Sequence, residues 1–193
     1  MKPYFVTIPA TVTLILAAFM GSASDNLPAG WELTGDSPAL YVAGIDDKVD
    51  GGTGDSKFLK FTEGNKVSWA ILKQSISAKQ YLGQRVRFQA RMKTRGVDEY
   101  WAGIYFQVKK DNGRNALFYN SWDAPMKGDN DWQVRNVVFD IPDDAGTISY
   151  GFMDGGQGQV WADSMKFEIV SKDVPVSRVQ KVPGPLKKTP NLL

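Results

Sequence analysis

The chain has 193 residues, 42% hydrophobic and 23% charged, the composition of a folded globular protein with room for one ordinary domain. It contains no His and no Cys, which excludes thiol nucleophiles, Ser-His-Asp triads, disulfides, lipid attachment at a cysteine and the usual imidazole or thiolate metal sites. Residues 25–170 carry 17 basic and 20 acidic side chains, whereas residues 171–193 carry five basic and one acidic, so the domain is mildly acidic and nothing argues for the basic face that a nucleic-acid-binding domain normally shows.

Residues 1–24 place Lys2 ahead of an apolar stretch that ends in Gly21-Ser22-Ala23-Ser24, the order of a secretory signal, with cleavage expected after Ala23 or Ser24. The alternative is an uncleaved membrane anchor. Against it stand Pro9 and an apolar run slightly short of the roughly 20 residues that a span requires. A periplasmic or secreted location is therefore expected, with no integral membrane segment after cleavage.

From Asp25 onward, short apolar or alternating runs predict strands near 31–34, 41–44, 57–62, 67–75, 85–94, 101–109, 116–122, 132–141, 147–153 and 159–170. Turn residues separate them, notably Asp111-Asn112-Gly113, Pro142-Asp143-Asp144 and Asp154-Gly155-Gly156. The cleanest alternation is Arg85 to Lys93, where Val86, Phe88, Ala90 and Met92 share one face and Arg87, Gln89 and Arg91 the other. Ala78–Tyr81 has room for a single helical turn, and no longer amphipathic helix is visible. Many short strands without helices predict an all-β fold, a two-sheet antiparallel sandwich of jelly-roll type spanning residues 25–170. Residues 171–193, with four prolines among Lys and Arg, are expected to form a disordered basic tail.

Carboxylate chemistry does not need His and stands apart from these exclusions. The four Glu residues, Glu32, Glu63, Glu99 and Glu168, fall on different predicted segments, and no pair has the spacing that a glycosidase requires. No catalytic residue is assigned. The acidic loop from Gly44 to Asp55 invites a calcium reading, with Asp46, Asp50 and Gly51 in suitable places. Lys48 and Lys57 then fall where ligands are required. A different structural calcium site, from loop carbonyls and Asp163, stays open beside the plain reading of a polar turn.

Aromatic residues supply the positive signal. In Trp101 to Val108, the set Ala102, Ile104, Phe106 and Val108 belongs to the core, leaving Trp101, Tyr105 and Gln107 outward. With 85–94 and 101–109 read as neighbouring strands, Arg87, Gln89 and Arg91 join that outward face, and Asn120 and Trp122 continue it. Rings that stack on a pyranose beside groups that bond its hydroxyls make a sugar platform. The competing reading is a second small core under a loop or the tail.

The ordered series Tyr81-Leu82-Gly83-Gln84-Arg85-Val86-Arg87-Phe88, Trp101-Ala102-Gly103, Trp132, Val138 to Ala145, Gly151-Phe152, Gly158-Gln159-Val160-Trp161 and Phe167-Glu168-Ile169-Val170 resembles a bacterial all-β domain. That domain occurs behind the helix-turn-helix part of some transcriptional regulators and in some exported proteins. The resemblance implies a galactose-binding-like jelly roll, similar in shape to carbohydrate-binding modules, without catalytic residues. Two departures stand out: an export pattern replaces the DNA-binding part, and Tyr119-Asn120 replaces the usual Asp-Asn. The expected function is an exported, non-catalytic binding module for a glycan or small polar ligand. A protein-interaction, envelope-assembly or sensor domain is the alternative, and a hydrolase or lyase using Asp and Tyr a third.

Overall fold

Two strands of 26 residues each, β5 (Arg85–Lys110) and β8 (Ala145–Val170), organise the protein in the computed structural model, which describes residues 27–64 and 68–178. They run antiparallel along their whole length, from Arg85 opposite Val170 to Lys110 opposite Ala145. Around them lie β1 (Glu32–Gly35), β2 (Tyr41–Asp46), β3 (Ser56–Phe61), β4 (Trp69–Ser77), β6 (Asn115–Tyr119) and β7 (Met126–Asp140). β4 pairs with the first part of β8 and carries β1 on its far side, while β6 pairs with the second half of β5. β3 pairs with the middle of β8 and carries β2, while β7 pairs with the first half of β5. One sheet is therefore β1-β4-β8-β5-β6 and the other β2-β3-β8-β5-β7, with β5 and β8 shared.

The shared strands bend so that their halves face one another across a single core, as in sandwiches whose corners are made by strands that change sheet. Phe88 on one half of β5 lies 5.1 Å from Tyr150 (ring centroids), and Phe106 on the other half lies 5.2 Å from Phe139. The bend in β5 falls at Gly96 (φ 60°) and Glu99 (φ 68°), where its register with β8 shifts. The matching bend in β8 uses Gly156 (φ 89°), where a β-carbon would fall onto the carbonyl oxygen of Asp98.

The all-β jelly-roll-like sandwich expected from the alternation is the fold observed. Its strand division differs. The runs 85–94 and 101–109 are one strand rather than two, as are 147–153 and 159–170, because Asp154-Gly155-Gly156 bends a continuous ladder instead of ending it. Ala78–Gln80 forms one 3₁₀ turn, capped by Ser77.

The predicted signal, 1–24, lies outside the described residues, as do residues 179–193. Residues 171–178, expected to begin a disordered tail, are instead docked. The Ser177 N–H donates to the Val138 carbonyl at 2.8 Å, and the Val138 N–H donates to the Ser177 hydroxyl at 3.0 Å. Arg85 donates to the carbonyls of Lys172 and Val174, and Lys172 Nζ reaches Asp140 Oδ1 at 2.8 Å. The edge of β7 supplies unpaired backbone groups there, and the tail takes them up.

Candidate ligand groove

On the second half of β5, the residues Ala102, Ile104, Phe106 and Val108 are buried in the core. Trp101, Tyr105 and Gln107 therefore point out of the sheet, as the two-residue period requires. Neighbouring strands obey the same rule. Ala70 and Leu72 of β4 face the core, so Trp69 and Ile71 face outward; Phe152 of β8 faces inward, so Met153 faces outward. The ladder sets Ile71 beside Met153 and Gln107 beside Phe118.

These side chains border a groove of about 460 Å³. Tyr105, Ile71 and Met153 form its buried floor, packed against Phe118, whose ring meets Tyr105 edge-on at 6.0 Å. Trp69 and Tyr100 stand at the rim, 39% and 43% exposed. Tyr100 meets Trp101 edge-on at 6.2 Å, and it can lie against β8 because position 155 is glycine, where a β-carbon would come within 2.8 Å of the Tyr100 β-carbon.

The polar groups form a short internal chain. Trp101 Nε1 donates to the Asn120 carbonyl at 2.7 Å, the Tyr105 hydroxyl donates to Gln107 Oε1 at 3.0 Å, and Gln107 Nε2 donates to Asn115 Oδ1 at 2.9 Å. Asn120 Oδ1 is buried and has no hydrogen-bond partner among the described residues. Burial, assisted by the charge of Glu32, pushes the Tyr105 phenol up to about 12, so it stays protonated at neutral pH and is unsuited to act as a base. None of the described residues lining the groove is a carboxylate, an amine or a guanidinium.

Of the eight ligand-binding residues expected from sequence, Trp101, Tyr105, Gln107 and Asn120 meet in this groove. Arg87, Gln89 and Arg91 do not. They lie on the outer face of the other sheet, because the strand carrying them turns through the bend at Gly96 and Glu99 before it reaches Trp101. Trp122 lies past β6 and the left-handed Ser121 (φ 60°), exposed and outside the groove. Tyr105, expected to stand on an open platform, is only 5% exposed. Trp69, Tyr100, Phe118, Ile71 and Met153 were not anticipated. The unbroken apolar run Trp69-Ala70-Ile71-Leu72 was the available signal, since a strand apolar on both faces is covered on both.

Asp163 lies on the opposite side, beneath the acidic loop. Its carboxylate accepts from the Thr53 N–H and hydroxyl, at 2.8 and 2.9 Å, and from the hydroxyls of Ser56 and Ser164. Burial pulls its pKa up, but the bonds from Ser56, Thr53 and Ser164 outweigh this and hold it down at about 2. The Asp50 carbonyl receives Lys93 Nζ at 3.2 Å and Trp132 Nε1 at 2.8 Å. A calcium ion does not fit this arrangement, because protein donors, one of them an ammonium, already occupy the oxygens it would need.

Asp154 sits at the sheet-crossing bend on the core side of β8, fully buried, with no well-formed hydrogen bond to either carboxylate oxygen among the described residues. Burial raises its pKa to about 8, against the opposing pull of the Gly155 N–H.

The fold defines the class: an all-β, jelly-roll-like sandwich resembling family 22 carbohydrate-binding modules. The CBM22-1 xylan-binding domain of Paenibacillus barcinonensis Xyn10C superposes with a TM-score of 0.55 at 12% identity, over 77% of this chain and 91% of that domain. The C-terminal family 22 carbohydrate-binding module of Clostridium thermocellum Xyn10B gives 0.52 at 11% identity, over 80% and 93%. In sequence, the chain is 33% identical over 163 residues to YbfP, an uncharacterized HTH-type transcriptional regulator of Bacillus subtilis (strain 168). That match covers 83% of this chain and 54% of the regulator, so the chain spans about half the length of this relative. No family model matches.

Proposed function

We propose that the chain is an exported, non-catalytic binding module that takes a glycan in the groove beneath Trp69, Tyr100 and Trp101. The observation that carries this reading is the groove itself: rings at the rim, a buried apolar floor, an amide oxygen without a partner among the described residues, and no acid or base among the described lining residues to cleave what is bound. The xylan-binding neighbour supports a glycan through shape alone. Residues 1–24 act as the export signal in this reading, placing the mature protein in the periplasm or outside the cell.

Glycan-array screening followed by calorimetry tests the proposal. Trp69→Ala and Tyr100→Ala should each weaken binding by about 1–3 kcal/mol, the truncation cost of an interface anchor. Both residues are well exposed, so unfolding should change little. A protein that binds no glycan and co-purifies with a stable protein partner instead would favour the interaction-domain alternative. N-terminal sequencing from a bacterial host should find Ser24 or Asp25 first; an intact Met1 on membrane-bound protein would contradict export.

A further inference from the structure

We infer that the groove selects an uncharged, hydroxyl-bearing ligand, a neutral oligosaccharide in preference to an acidic one, by receiving a ligand hydroxyl on Oδ1 of Asn120. The inference rests on the binding-module reading above and adds the chemical class of what is bound.

Three of the groove's side chains already spend donors within the protein. The Trp101 indole N–H goes to the Asn120 carbonyl, the Tyr105 hydroxyl to Gln107, and Gln107 passes an N–H on to Asn115. What stays open on the buried side is an acceptor, Asn120 Oδ1, which has no partner among the described residues. A buried acceptor without a donor costs free energy until something donates to it. A sugar hydroxyl does so, and its pyranose face then lies on the neighbouring rings.

Charge points the same way. None of the described residues lining the groove carries a charge. Nearby on the same outer face, Lys73 already pairs with Glu32 at 3.4 Å, and the Glu32 charge is felt at Tyr105 on the floor, so the field there does not favour an anion. A uronate or sulfate entering the groove would be stripped of water with no cation to receive it, and an unpaired charge is the most costly group to bury. A cationic ligand could use the rings by cation–π attraction, but no carboxylate stands in the lining to complete its neutralisation.

The test is a calorimetric titration of the purified protein with neutral oligosaccharides, with uronate and sulfated counterparts of matched length, and with choline as a cationic probe. Neutral members should bind about tenfold or more tightly than their acidic counterparts. Asn120→Ala should lower affinity for the best neutral member by about tenfold. Thermal unfolding of this variant is recorded alongside, so that a loss of affinity is separated from a loss of folding. Equal or tighter binding of the acidic members overturns the selectivity while leaving the module reading intact. So does a preference for choline, or a folded Asn120→Ala variant that binds the best neutral member as tightly as the parent. Failure of every glycan to bind removes the module reading itself, and this inference with it.

Discussion

The outer surfaces of the two sheets use their polar groups in opposite ways. On the β2-β3-β8-β5-β7 sheet, charges are numerous and paired off. Arg87 meets Glu168 at 2.6 Å, Arg91 lies 5.1 Å over the Trp132 ring, and Lys93 reaches both the Asp50 carbonyl and, at 3.4 Å, Asp131. The loop anchored by Asp163 closes over part of this face. On the β1-β4-β8-β5-β6 sheet, the outer face between Trp69 and Asn120 is uncharged, concave and edged by exposed rings. One strand, β5, contributes to both. An outward position on a strand is thus a statement about one sheet only, and its use depends on what covers that sheet.

The largest expected effect concerns the groove floor. Phe106→Ala should cost about 3–5 kcal/mol as a core truncation. Tyr105→Ala should approach it, because Tyr105 is nearly as buried and supports Ile71, Met153 and Phe118. Urea denaturation of both variants checks this. A Tyr105 variant as stable as the parent would mean that the floor is an open platform after all.

At the crossing between the faces, Asp154 predicts a pH dependence. Folded Asp154 keeps its proton up to about pH 8, whereas an unfolded Asp loses it near 4. Between those values the unfolded chain binds fewer protons, so stability falls as pH rises. A loss of a few kcal/mol from pH 5 to 8 is expected, with about 1.4 kcal/mol for each pH unit crossed as the upper bound. Asp154→Asn should flatten that slope in urea unfolding measured at both pH values. An unchanged slope would place the pH dependence elsewhere.

On the charged side, Asp163→Ala should release the loop at Thr53 and Ser56, with a stability loss of about 1–3 kcal/mol. Ligand binding in the groove should be unaffected, and calcium should not restore stability. Deleting residues 171–193 should lower stability by about 1 kcal/mol, because it removes the hydrogen bonds to Arg85 and Val138. The smallest effect belongs to Arg87→Ala, whose half-exposed ion pair is worth about 1 kcal/mol or less. That variant should bind ligand as the parent does. Weakened binding would mean that the two faces communicate.

Local alternation carried the sequence reading a long way. Val86, Phe88, Ala90 and Met92, and then Ala102, Ile104, Phe106 and Val108, occupy the core positions that a two-residue period assigns them. Trp101, Tyr105, Gln107 and Asn120 could be picked out for the same reason. The absence of His and Cys, legible from composition, removed whole classes of chemistry before any fold was considered. Tertiary structure decided the rest. Periodicity is silent about a bend that moves a strand from one sheet to the other, so Arg87, Gln89 and Arg91 looked like neighbours of Trp101 when they lie across the sandwich from it. Nor does it show what lies over an outward face. Phe118 and Ile71 cover Tyr105, and a loop some 40 residues away in sequence covers Arg91. Side-chain direction is a property of one strand, whereas burial and shared surface are properties of strands brought together by long-range pairing.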